Sequence, residues 1–405
     1  MPEGLTAIGA YAFTGCNGLT GGLYIPQGIT EIGGAAFYNC AGLTGDVTLP
    51  ASVTSLGSSA FYNCCSLTGF RVEAGSALAS ALPCRVWWGC SGLEYIDLKA
   101  LPASALQGRH FTRTKVPDSH PFTGVAPRTV VYLPSGVDGG GITASDSTLN
   151  YVLDGECQWL SVMEAYDYEM PHPFTARKAT YNNTTTRNYR EFSGTTAKTL
   201  YLPYAATLPE GMKAYTLGEM NVQKSKGTSK AFVFTSLPEG AALQPYTPYV
   251  VLVEDGLSKT FGTETDVYVP AMPAVGENDT PVQAGDWLFC GTTELIPNAE
   301  AAAMGAYNLK NNVWHPISTQ NTAGHVGRFR CFLRLASATA AGTNVRKAAF
   351  FLTEGGTTTG IESASAALEQ GAARIYDLHG LYLGTDFEAL PQGIYIVDGK
   401  KVYKP

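Results

Sequence analysis

Residues 5–20 (LTAIGAYAFTGCNGLT), 29–44 (ITEIGGAAFYNCAGLT) and 53–68 (VTSLGSSAFYNCCSLT) are one pattern written three times, each copy beginning 24 residues after the last. In phase at that step stand Leu5, Ile29 and Val53; Thr6, Thr30 and Thr54; Gly9, Gly33 and Gly57; Phe13, Phe37 and Phe61; Cys16, Cys40 and Cys64. A fixed period of roughly 20–50 residues with apolar positions in register is the mark of a solenoid. Each repeat in such an array buries its apolar side only against its neighbours, and the stack presents extended surfaces. Recognition is therefore the first expectation for function, ahead of catalysis.

Within one repeat, Leu23-Tyr24-Ile25 and its counterpart Val47-Thr48-Leu49 alternate as a short strand, ended by Pro26 and Pro50. A second extended piece runs from Ile29 to Ile32 and stops at Gly33. The Ala-Phe-x-x-Cys piece then turns the chain, predicted as a single 3₁₀ or helical turn. Successive coils should lie about 4.8 Å apart, the spacing of neighbouring strands. The repeat core is predicted to be Phe13, Phe37 and Phe61 with Cys16, Cys40, Cys64 and Cys90. These cysteines read as small, soft apolar side chains with free thiols. Nine cysteines make an odd number for a disulfide framework, and no spacing suggests zinc.

Trp87, Cys90 and Leu93 keep the Phe-x-x-Cys-x-x-Leu spacing and mark a degenerate fourth unit, with a strand at Tyr95-Ile96-Asp97-Leu98. Residues 102–128 break the period and read as a capping loop. Residues 129–134 read as one more strand, closing the array.

A chain of 405 residues calls for two or three domains. The expected class is mainly β: the solenoid with its degenerate last repeats and cap over residues 1–135, a linker over 136–148, and an all-β, sandwich-like domain over 149–353. A second linker over 354–371 and a small C-terminal β module over 372–405 complete the chain. The central stretch earns that reading through short alternating runs separated by Pro, Gly and Asn, with one brief helix predicted at Asn298 to Met304. The tail alternates again at Arg374 to Leu378, Leu381 to Leu383, Gly393 to Val397 and Lys400 to Tyr403.

A net charge of -7 with no Lys/Arg cluster argues against nucleic acid. No run of 18 apolar residues spans a membrane. The six histidines form no HExxH and no ligand pair; there is no nucleophile elbow and no Walker loop, so neither a catalytic group, a metal nor a cofactor is nominated. The twin tetrapeptides at His120 and His172 (HPFT) read as two strand beginnings preceded by prolines rather than as twin ligands. The chain starts in mid-repeat, Met1 standing where Ile25 and Leu49 stand, which points to a leader and earlier repeats upstream.

One surface feature singles itself out. The residue after each repeat Phe is Tyr38, then Tyr62, then Trp88 in the degenerate unit. If the Phe points inward, its neighbour faces solvent, and three aromatics on successive coils form a strip suited to a protein or glycan partner. The competing reading has the three rings stack on one another and shield the coil edge.

The string I-T-x-I-G-x-x-A-F-Y-N-C-x-x-L-T resembles the leucine-rich repeat of BspA-like surface proteins. The resemblance covers residues 2 to about 98 and implies adhesion to host proteins or other cells. Asn150 to Cys157, Pro173 to Tyr181 and Leu200 to Tyr204 are similar to a β domain of secreted Bacteroidales proteins. Ile375 to Gly380 with Leu390 to Val397 resembles their C-terminal sorting modules, although Leu381 and Tyr382 stand where those modules carry a basic pair. The resulting expectation is a non-enzymatic, secreted or outer-surface binding protein of adhesin type, its solenoid the recognition element and its β domains stalk and anchor. A structural assembly protein is the alternative, and a hydrolase in the central β domain a weaker third. The ligand and the oligomeric state stay open.

Overall fold

The computed structural model describes residues 4–78, 81–107, 111, 121–122, 124–139, 142, 150–182, 190–194, 196–218, 221–224, 227–230, 232–238, 240–254, 256–263, 265–272, 281–321, 323–336, 350–354, 357–363, 375–376, 382–384, 393–397 and 400–404. The fold is mainly β, as expected, with a solenoid of about 7 turns toward the N-terminus. The chain divides into two compact units, Met1–Tyr189 with Gly262–Met272, and Arg190–Phe261 with Pro273–Pro405.

The backbone of the first unit is a sheet in which Gly45–Leu49, Leu67–Val72, Tyr95–Asp97, Val130–Tyr132 and Asn150–Leu153 run parallel, one strand per coil. Glu156–Cys157 returns antiparallel, and Phe174–Ala176 and Val267–Val269 extend the sheet. The predicted strand at 129–134 exists as Val130–Tyr132 but does not close the array: Val130, Val131 and Tyr132 pair with Asn150, Tyr151 and Val152. The stretch expected as a linker thus connects two neighbouring strands of one sheet; residues 140–141 and 143–149 lie outside the described residues. Leu23-Tyr24-Ile25 keeps its alternation of half-buried, exposed and buried, yet its ladder is reduced to a single parallel bridge, Gly21 to Leu43. The second extended piece of each repeat builds a narrow parallel sheet of Ala7–Ile8, Glu31–Ile32 and Ser55–Leu56.

The Phe turn is not the predicted 3₁₀ turn. Its amides alternate in direction. Those of Ala36, Tyr38 and Cys40 donate within the coil, to the carbonyls of Gly33, Ala35 and Phe37. Those between them, on Ala35, Phe37 and Asn39, donate to Ser58, Ala60 and Tyr62 of the next coil at 2.9, 2.8 and 2.8 Å. Sending every second amide sideways requires positive φ, found at Ala35 (54°) and Asn39 (58°) and again at Ser59 (58°) and Asn63 (54°). Asparagine tolerates that region; alanine and serine are strained there and are held by the bonds they make.

Inside the coils the phased side chains stack. The Phe13 and Phe37 rings lie 5.3 Å apart and nearly parallel, and those of Phe37 and Phe61 5.4 Å apart. Phe37 and Phe61 are fully buried, each contributing about 1.5–3 kcal/mol. Gly57 marks where adjacent coils touch: a Cβ there would fall 2.2 Å from the Gly34 nitrogen and 2.5 Å from the Gly33 carbonyl carbon.

In the second unit a ten-stranded sheet runs in the order Lys198–Leu200, Tyr249–Val253, Met212–Leu217, Phe232–Ser236, Phe350–Glu354, Thr357–Ser363, Lys400–Lys404, Gly393–Val397, Ile375–Tyr376 and Tyr382–Gly384. Thr357–Ser363 falls within the stretch expected as the second linker. A five-stranded sheet, Val282–Ala284, Trp287–Thr292, Arg330–Leu335, Tyr307–Lys310 and Val313–Pro316, packs against the first. Phe234 of the larger sheet meets Phe289 edge-on at 5.2 Å and stacks on Trp314 at 5.9 Å, all three fully buried. Face-to-face sheets closed over aromatics make a sandwich. The predicted helix is present as Asn298–Ala303.

Gly57→Ala is expected to push two coils apart and to lower unfolding stability by about 1–3 kcal/mol in urea titration, as overpacking does. Gly75→Ala, at a position with open space around the missing Cβ but positive φ, separates backbone strain from crowding and should cost less.

Candidate functional site

Tyr38, Tyr62 and Trp88 lie on successive coils, as the 24-residue step requires, but they are half-buried rather than freely exposed. The reason is mutual stacking. The two tyrosine rings are 4.4 Å apart at 10°, and Tyr62 and Trp88 are 6.1 Å apart at 2°. Burial first, then the neighbouring Tyr38, pushes the Tyr62 phenol up. The Arg85 guanidinium sits 5.5 Å from the Trp88 ring, and the backbone at Gly124 lies so close that an added Cβ would fall 2.8 Å from the indole. The rings therefore form one continuous, pre-ordered stack along the coil edge, the stacking that the competing reading expected in place of three freely exposed rings.

The repeat cysteines take the inward positions assigned to them. Cys40, Cys64 and Cys90 are fully buried and Cys16 half-buried, and all are free thiols. Each of the three buried thiols donates to the Phe carbonyl of the preceding coil: Cys40 to Phe13 at 2.9 Å, Cys64 to Phe37 at 3.1 Å and Cys90 to Phe61 at 2.9 Å. Those carbonyls of Phe37 and Phe61 also accept the amide of their own Cys, so the thiol occupies the second lone pair. Burial pushes the Cys64 thiol up to about 12, with the adjacent Cys40 adding to it. Cys90 and Cys40 rise for the same first cause.

A second surface was not singled out by the sequence pattern. Along the parallel sheet, Val47, Phe70, Ile96 and Val131 point into the core, so the residues between them face outward. One outward column is Thr48, Arg71, Asp97 and Tyr132; beside it stand Asp46, Gly69 and Tyr95. Asp46 is the hub. Its Oδ1 accepts from Thr68 at 3.1 Å, and its Oδ2 from Arg71 at 3.0 Å and from the Tyr95 hydroxyl at 2.6 Å. Arg71 also donates to the Tyr95 oxygen. Burial, then the bond to Asp46, pushes the Tyr95 phenol up. Beside this network a cleft of about 340 Å³ is lined by Tyr24, Gln27, Asp46, Thr48 and Glu73, among others.

Further along, a second cleft of about 340 Å³ is lined by Lys99, Tyr132, Ser135, Asp154 and His172. His172 is held by Asp97 at 2.6 Å, and its carbonyl accepts from the Tyr132 hydroxyl at 3.0 Å. It precedes the strand Phe174–Ala176, in agreement with its reading as a strand beginning. The matching His120 lies outside the described residues. The signal that locates this face was present in the sequence: the positions alternating with the core strand residues, followed at the repeat step. It is obscured because the strands depart from the 24-residue step: the offset is 22 at Gly45/Leu67 and 23 from Asp46/Gly69 on, with a register shift between.

The raised thiols yield a labelling test. At pH 8 the folded protein should react with an alkylating agent first at exposed Cys65, while Cys40, Cys64 and Cys90 stay unmodified until denaturant is added. The same shift fixes a pH dependence. The folded pKa of Cys64 lies above its ordinary value of 9.0, so its stabilising contribution is complete below pH 9 and is lost as pH rises toward 12. The thermal midpoint should fall across that window, and less so in Cys64→Ala, measured relative to its own value at pH 8.

No helix among the described residues is long and apolar enough to cross a membrane. No curated protein and no solved structure matches the chain. The repeat region does match a known family: residues 1–115 fit the BspA type leucine rich repeat region, in 6 copies.

Proposed function

We propose that this chain is a non-enzymatic binding protein of adhesin type, secreted or held at the outer cell surface, whose solenoid recognises a host or microbial macromolecule. Leucine-rich repeats are in general protein-interaction modules without enzymatic activity, and BspA-like repeat proteins are typically secreted or at the cell surface. In this reading the second unit serves as stalk, with its C-terminal strands as anchor or sorting module.

The observation that carries the proposal is the Tyr38–Tyr62–Trp88 stack. Its rings are ordered before any partner arrives, so binding loses little side-chain entropy. Tyrosine and tryptophan offer large contact area with a polar atom at the rim, the composition of binding hot spots. The stack is also continuous over three coils, which suits an extended partner better than a small molecule.

The triple variant Tyr38→Ala, Tyr62→Ala, Trp88→Ala tests it. On an array of matrix proteins and glycans, the wild-type chain is expected to capture a ligand and the triple variant to lose at least tenfold in affinity. Each lost aromatic pair costs about 0.5–1.5 kcal/mol of stability, so the variant should still melt cooperatively. Undiminished capture by a folded triple variant would remove the strip from the binding site.

A further inference from the structure

We propose that the outward face of the solenoid sheet around Tyr24, Asp46 and Glu73 is a second binding site, and that its ligand is a neutral pyranose of a glycan chain. The site is separate from the aromatic strip, and the proposal does not depend on it.

Three features define the ligand class. First, Tyr24 borders the cleft with 71% of its surface open; among the described residues of this unit Tyr11, Leu19 and Tyr268 are the other large apolar side chains left exposed. An open phenol is a platform for the C–H face of a sugar ring, which is apolar and flat enough to stack on an aromatic. Second, the cleft is bordered by two carboxylates whose positions are already set. Asp46 is gripped by Thr68, Arg71 and Tyr95, and Glu73 accepts from Gln27 at 2.6 Å and from the Ala51 amide at 3.2 Å. Carboxylate oxygens have more lone pairs than these donors occupy, so each can still accept from a sugar hydroxyl without reorganising. Third, the nearby cation is already paired: the Arg71 Nη2 is shared between Asp46 and the Tyr95 oxygen, while its Nε has no hydrogen-bond partner among the described residues.

Two carboxylates and an engaged guanidinium disfavour an anionic sugar, in the same sense as the chain's net charge of -7. A peptide would bring backbone donors and apolar side chains. The outward side chains of the Gly45–Leu49 and Leu67–Val72 strands at the cleft, Asp46, Thr48 and Arg71, are polar. A polyhydroxylated neutral ring meets all three conditions: a stacking face, donors for the carboxylates and no net charge. The volume of about 340 Å³ lies at the lower end for small-molecule sites, fitting a ring or two rather than a folded partner.

The test applies the full chain to an array of neutral oligosaccharides (glucose-, galactose- and mannose-based) beside sialylated and uronic-acid ones. Calorimetric titration with the strongest neutral binder follows. Wild-type capture should be confined to neutral glycans, and Tyr24→Ala should weaken it at least tenfold with an unchanged melting midpoint, since the ring is exposed. Glu73→Gln, which keeps shape but weakens the acceptor, should weaken binding to a smaller degree. The strip triple variant should bind the neutral glycan as wild type does. Absence of any neutral binder, preference for acidic glycans, capture of protein ligands alone, or affinity within twofold of wild type in Tyr24→Ala would each overturn the proposal. Loss in the strip variant with retention in Tyr24→Ala would overturn it while leaving the strip reading standing.

Discussion

Everything in the first unit follows from one demand: the amides of the Phe turn must find acceptors although the turn is too tight to supply them all. Half are satisfied inside the coil and half by the next coil's carbonyls, at 2.8–2.9 Å around Phe37. Unpaired buried amides are rarely tolerated, so neighbouring coils must present the same backbone at the same height. That in turn requires the same left-handed residues in each, at Ala35 and Asn39 and at Ser59 and Asn63. The repeat length is the length of chain that brings a turn back over itself with its amides in line.

Once the backbone is locked in this way, side chains have no choice of partner. Identical residues on successive coils sit in columns, and each column finds its own way to be satisfied. Phenylalanines stack, thiols fill the second lone pair of the preceding Phe carbonyl, and Thr54 bonds the Thr30 carbonyl as Thr30 bonds that of Thr6. Asn63 reaches Asn39 along the edge. The same rule acts outside. Tyr38, Tyr62 and Trp88 stack because their Cα atoms are held at strand spacing, which converts three separately exposed rings into one ordered surface. A solenoid thus produces rigid recognition surfaces as a by-product of satisfying its backbone. The sheet face extends the principle to unlike residues: Asp46, Arg71 and Tyr95 come from three coils and make one network.

The core was readable because it repeats. Phe37 and Cys40 are legible from their partners at the same step, and the sandwich strands from alternation between turn residues. The turn's true geometry was not legible, because a 3₁₀ turn and an alternating left-handed turn bury the same Phe and Cys and differ only in where the amides point. The continuation of the sheet through Asn150–Leu153 was hidden for a related reason. Those later coils keep the parallel ladder while abandoning the Phe and Cys spacing, so the backbone constraint persists where the side-chain signature stops. The sheet-face network escaped notice since its members do not resemble one another, and the register shift beside Asp46 breaks the count that would link them.

By itself, the sequence determined that the first coils stack, which side chains fill them and which residue of each coil stands beside the buried Phe. Those are local and periodic properties, set by pattern and spacing. Only the tertiary structure decided how far the array runs, that the strip is a closed stack of half-buried rings, and that Asp46, Arg71 and Tyr95 converge next to an open Tyr24. These depend on distances between residues 22–49 positions apart in the chain, set by hydrogen bonds between coils rather than by any one coil's sequence.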